Sequence, residues 1–140
     1  LAFYAQRFAA VEITSTRHSI PPTRVLHNWA ASAPEGFVFS FCAPITVRPS
    51  NMDVGAEIMR SFMRRIAVVG DKLGPVVLHV GRLEEYNDGD AKRFFDALPP
   101  HRYALHIESS DWLNSEVLDE MMKRDIVVVD TDLGEALTDD

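Results

Sequence analysis

Glu12, His79, His106, Glu108 and Asp130 are the residues of this 140-residue chain whose types and spacing could do chemistry together. Two imidazoles and three carboxylates brought to one place can hold a divalent metal ion that activates water. They can equally divide the work of general acid and general base. Each residue stands within or at the end of a short run rich in Val, Ile or aromatic side chains, the signature of a strand. Alternation along these runs sends Glu12 and Thr14 to one face and Val11 and Ile13 to the other. In the same way Val38, Ser40 and Cys42 part from Phe37, Phe39 and Phe41, and His79 parts from Val76, Leu78 and Val80. His106 and Glu108 part from Tyr103, Leu105 and Ile107, and Asp130 ends the last run. The candidate set facing away from the helix layer is therefore Glu12, Thr14, Cys42, His79, His106, Glu108 and Asp130. The competing explanation is structural, with the same groups satisfying one another and water inside a core.

Cys42 is a nucleophile only with a base such as His79 in hydrogen-bonding reach; otherwise it is a small buried residue. His18, His27 and His101 fall in loops or on helix surfaces and take no role. No phosphate loop of the Gly-x-x-x-x-Gly-Lys-Ser/Thr type, Gly-x-Gly-x-x-Gly fingerprint or Gly-x-Ser-x-Gly elbow occurs, and Gly70 to Gly74 is spaced like a turn.

The elements that must position these residues are five strands, at Val11 to Ser15, Phe37 to Cys42, Val76 to Val80, Tyr103 to Glu108 and Ile126 to Asp130. Helical periodicity separates them all. Val25, Leu26 and Trp29 mark a helix after Pro21 and Pro22. Ile58, Met59, Phe62, Met63 and Ile66 fall on one face of the next. Phe94, Phe95 and Leu98 mark a third that ends before Pro99 and Pro100. Val117, Leu118, Met121 and Met122 mark the last, with Asn114 or Ser115 as N-cap. Phe3, Tyr4 and Phe8 read as the end of one more helix, and Pro44 to Gly55 as the one long irregular stretch. Strands alternating with helices favour a parallel sheet, closed into an eight-stranded barrel or open and doubly wound. With no repeat or linker, residues 1 to 140 read as one α/β domain.

The 46% hydrophobic and 25% charged composition is that of a globular chain. No apolar run approaches the roughly 18 to 20 residues of a membrane span, so membrane insertion is not expected. A net charge of −7 argues against a preference for nucleic acid, and the cluster Arg60, Arg64 and Arg65 reads as a solvated helix face. A single cysteine excludes an internal disulfide and a cysteine-rich zinc site, and favours a reducing compartment such as cytoplasm or organelle matrix. Because the first residue is Leu1, the start of the gene product, with any signal or transit peptide, is expected outside this stretch.

The segment Val11-Glu12-Ile13-Thr14-Ser15-Thr16, the pieces Pro34 to Phe39 and Ala43-Pro44, the turn Gly70-Asp71-Lys72-Leu73-Gly74-Pro75, and Arg102 to Leu105 with Trp112 resemble the YecE-like family, domain of unknown function 72. The resemblance runs in order through most of the chain and implies a TIM-type β/α barrel without an assigned activity. It also exposes departures. Thr14, Arg17 and His18 stand where similar proteins have an asparagine and an aromatic pair. Cys42 replaces a lysine, Val47 a histidine and His79 a glutamine, while His106, Glu108 and Ser109 replace glutamate, arginine and histidine. Glu12 is the main polar survivor.

A complete barrel of this kind takes roughly 200 to 250 residues and eight strands, so five strands imply an incomplete one. The first expectation is thus a non-catalytic structural or interaction subunit, its open edges covered by other protein chains. The alternative is a metal-assisted hydrolase acting on a phosphate or sugar ester, or a small-molecule-binding barrel, built on Glu12, His79, His106, Glu108 and Asp130. No organic cofactor is implied.

Overall fold

The computed structural model describes residues 1–129, and Asp130 with the rest of the C-terminal segment lies outside them. Five short parallel strands alternate with helices: α1 (Ala2–Arg7), β1 (Ala10–Ile13), α2 (Thr23–Ser32), β2 (Val38–Phe41), α3 (Met52–Ile66), β3 (Val76–Val80), α4 (Asp90–Asp96), β4 (Tyr103–Ile107), α5 (Ser115–Lys123) and β5 (Val127–Val128). Strands β1 and β2 form one sheet, and β3, β4 and β5 form a second in that order, every pair parallel. The described residues form no closed barrel. The long stretch expected to be irregular is shorter than it reads, because α3 begins at Met52 after a 3-10 turn at Pro49–Asn51.

One core joins the outer faces of the strands to the helices. Phe39, Phe41, Leu78, Leu105 and Ile107 are fully buried, and against them lie Leu26 of α2, Met59, Phe62 and Ile66 of α3, Phe94 of α4 and Val117 of α5. These are the strand positions that alternation assigns to the helix layer. In α3 the buried residues recur every three or four positions, Asp53 sits in the first turn, and Arg64 and Arg65 sit in the last, matching the helix dipole. Its basic face is solvated, with Arg60 and Arg64 at 2.7 and 3.9 Å from Glu57. Asn114 caps α5, its Oδ1 accepting from the Val117 amide at 2.9 Å. Only one side of that helix packs: Leu118 is 45% and Met122 80% exposed, so the apolar stripe is narrower than its sequence suggests.

The two sheets meet at β2 and β3 without a continuous ladder. The Gly74 amide donates to the Phe39 carbonyl and the Ala43 amide to the Val77 carbonyl, each at 2.8 Å, and Ser40 Oγ donates to the Pro75 carbonyl. The chain reaches this junction through Gly70, whose φ of 66° suits a residue without Cβ. Gly74 is constrained differently, by space: a Cβ there would lie 2.4 Å from Val38 Cγ1 and 3.3 Å from the Phe39 carbonyl oxygen.

Gly74→Ala is therefore expected to push the sheets apart and to cost about 1 to 3 kcal/mol of stability, in the range of overpacking changes. Urea unfolding of the variant beside the parent checks this, and an unchanged midpoint would remove the junction from the list of constraints.

Candidate functional site

Parallel register sets His79 of β3 directly beside His106 of β4 on the face turned away from the main core. The Nδ1 atoms are 2.9 Å apart, with ring centroids 4.8 Å apart and planes at 77°. A contact between two ring nitrogens needs one N–H donor and one lone-pair acceptor, so the two imidazoles hold different tautomers and cannot both be cations. Glu108 follows β4, its amide donating to the Val80 carbonyl at 2.8 Å, and its Oε1 lies 3.9 Å from His106 Nδ1. The ligand atoms of His79, His106 and Glu108 all fall within 4.8 Å of one another. Beneath the histidines, Cys42, Val77 and Ala104 are buried together with Val129 packed on them, a small apolar floor.

Burial pushes the pKa of His79 down to about 4, because the imidazolium loses water there. The Arg17 guanidinium and His106 add repulsion, which outweighs the attraction of Glu108 and Glu12. His79 is accordingly neutral at pH 7, the form in which imidazole binds metals.

Between β1 and the end of β2, on the other side of the β2–β3 junction from the histidines, Cys42 Sγ donates to Glu12 Oε1 at 3.2 Å. Burial, followed by the neighbouring Glu12 carboxylate, raises the Cys42 thiol to about 12. That thiol stays protonated at neutral pH, which removes Cys42 from the nucleophile role.

A short 3-10 turn, Ser15–Arg17, follows β1. Fully buried Thr16 pins it, its Oγ1 lying 2.6 Å from the Cys42 carbonyl and 3.0 Å from the Ile13 carbonyl. The next residue, Arg17, is thereby aimed into a cavity of about 230 Å³ formed by the loops after β1, β2 and β3. Arg48, Arg82, Glu84 and His79 line it as well.

The structure thus unites His79, His106 and Glu108 of the expected set. Glu12 pairs with Cys42 instead, and acts on His79 only through space. Thr14 is exposed at the start of the 3-10 turn, and Asp130 lies outside the described residues. His18 and His27 are exposed, and His101 Nε2 lies 2.9 Å from the Gly74 carbonyl, away from the site. Spacing alone does not single out Arg17, Arg48, Arg82 or Glu84. Their one available signal is position just after a strand, where parallel folds place ligand-binding loops.

Fold and site together define an α/β protein with parallel strands and a polar cluster at the strand C-terminal ends. A profile described as "Protein of unknown function DUF72" matches residues 1–139, and the chain belongs to that family. It is similar to the crystal structure of a DUF72 family protein from Enterococcus faecalis V583, with a TM-score of 0.75 and 14% identity over 91% of this chain and 56% of that one. A DUF72 family protein from Thermotoga maritima MSB8 gives a TM-score of 0.70 and 18% identity, over 86% of this chain and 49% of that one. The chain thus spans about half the length of these structures. No curated protein matches it.

Two outcomes follow. Since the folded state holds His79 near 4 while an unfolded histidine titrates near 6.5, the unfolded chain binds the extra proton first. Stability should therefore fall as pH drops from about 6.5 to about 4, and His79→Gln should flatten that part of the curve, as read by thermal melts across pH. Cys42, with its thiol near 12, should resist iodoacetamide at pH 8 in the folded protein and react in urea, as read by mass spectrometry.

Proposed function

We propose that residues 1–140 form a single domain that is part of a parallel β/α barrel, and that His79, His106 and Glu108 hold a divalent metal ion for hydrolysis of a small-molecule ester. The barrel reading is supported by strand order: each strand lies parallel beside its predecessor, with a helix between, as in a barrel wall. The carrying observation for the site is the Nδ1 to Nδ1 distance of 2.9 Å with a carboxylate oxygen 3.9 Å away. Two nitrogens on a tetrahedral zinc ion sit about 3.3 Å apart at bond lengths near 2.0 to 2.1 Å, so the rings need to open by only about 0.4 Å.

Two histidines and one glutamate form a known catalytic zinc set that leaves one position open, and the ion brings the pKa of a bound water to about 7. Glu12 remains as a carboxylate for a base role on the far side of the junction. Asp130 is assigned by its place at the end of the fifth run. The chain should take up one Co²⁺ with a visible absorption band of a tetrahedral ion and should hydrolyse activated esters in a metal-dependent way. His106→Ala should lose both band and activity. Activity that survives both the substitution and exhaustive chelation would overturn the reading.

A second reading has its own support. Among the described residues the outer edges of β1 and β5 are unpaired, and Phe3, Phe8, Met122 and Val127 are 71, 55, 80 and 56% exposed. Apolar surface beside open strand edges suits an interaction subunit covered by other protein chains. No helix among the described residues is long and apolar enough to cross a membrane. On this reading the isolated chain should associate or aggregate in light scattering after gel filtration, and a stable monomer would count against it.

A further inference from the structure

We infer that the cavity lined by Arg17, Arg48, Arg82 and His79 binds the phosphate group of a small organic phosphate monoester. The chain carries a net charge of −7, yet three guanidiniums meet in this one cavity against a single carboxylate, Glu84. That carboxylate is already engaged. It accepts from the Ser50 amide at 3.1 Å and from Ser50 Oγ at 2.7 Å, and it lies 3.8 Å from Arg48 Nε. Glu84 therefore holds the loop after β2 and orients Arg48, rather than repelling an anion from the middle of the cavity.

Two buried nitrogens point to the missing partner. Arg17 Nε and His79 Nε2 have no hydrogen-bond partner among the described residues, and both side chains line this cavity. A buried donor left unmade costs free energy, and an oxyanion is the partner a guanidinium fits best. Arg17 is also held in place: its amide donates to the Thr14 carbonyl at 3.2 Å, and its carbonyl accepts from the Ile45 amide at 3.0 Å. When His79 Nδ1 accepts from His106 or binds a metal, Nε2 carries the ring proton and becomes a donor to the same oxyanion.

Charge and size select the class. Three cations against one anion leave two positive charges, which a phosphate monoester dianion balances and a carboxylate does not. A volume of about 230 Å³ is below the range for drug-sized ligands and suits a phosphate with a small organic group. Leu83, 93% exposed, and Ile45, 47% exposed, stand in the lining and offer that group an apolar rest. Binding needs only these residues; hydrolysis of the bound ester rests on the metal site proposed above.

The test is calorimetric titration of the full chain, kept in chelator, with phenyl phosphate and with benzoate. Phenyl phosphate should bind the parent chain, weaken steeply with salt, and lose about tenfold or more in affinity in Arg17→Gln. Arg82 is exposed, so Arg82→Gln should keep its fold by circular dichroism and still weaken binding severalfold. No binding to the parent chain, benzoate binding as tight as phenyl phosphate, or unchanged affinity in Arg82→Gln would each overturn the inference. Because chelator is present throughout, those outcomes are separate from the Co²⁺ measurement that decides the metal site.

Discussion

Between β2 and β3 the wall of strands depends on close backbone approach. Two backbone hydrogen bonds of 2.8 Å and the Ser40 contact replace a ladder there, and Gly74 permits the approach because any Cβ would meet Val38. His101 adds to the same point by contacting the Gly74 carbonyl. The candidate site straddles this junction. Glu12, Thr16, Arg17 and Cys42 come from the β1–β2 side, and His79, His106 and Glu108 from the β3–β4 side, so their mutual distances are set by how closely the two sheets are drawn together. The outer core works to the same end, since Phe39, Leu78 and Leu105 share one apolar layer under the helices.

With one face of the strands committed to the helices, the other face takes what remains. Small residues fill its lower part, and at the strand ends it becomes polar. Groups crowded there change one another. His79 is kept neutral by burial, the Cys42 thiol is kept protonated by burial and by Glu12, and Arg17 bears on both. The shifts of Cys42 and His79 are thus gathered at the C-terminal ends of the parallel strands, where folds of this kind place ligand-binding loops.

Arg17, Val47 and His79 all line one cavity, and Cys42 lies on the floor beside it. With Arg48 and Arg82, Arg17 gives that cavity a basic character foreign to the acidic chain as a whole.

What the sequence determined by itself was the order of strands and helices, the face that β2, β3 and β4 turn to the helices, and the common face of His79, His106 and Glu108. Those properties follow from local periodicity, which is written in consecutive residues. The helix limits were less legible: α3 starts earlier than the Pro44 to Gly55 stretch suggests, and Leu118 and Met122 of α5 face solvent, because which apolar residues are covered depends on neighbours far along the chain. Only the tertiary structure decided that Glu12 would meet Cys42, that Thr16 would hold Arg17 over the cavity, and that Glu84 would be spent on Ser50. Each of those contacts joins residues 26 to 34 positions apart through loops whose course has no periodic signal.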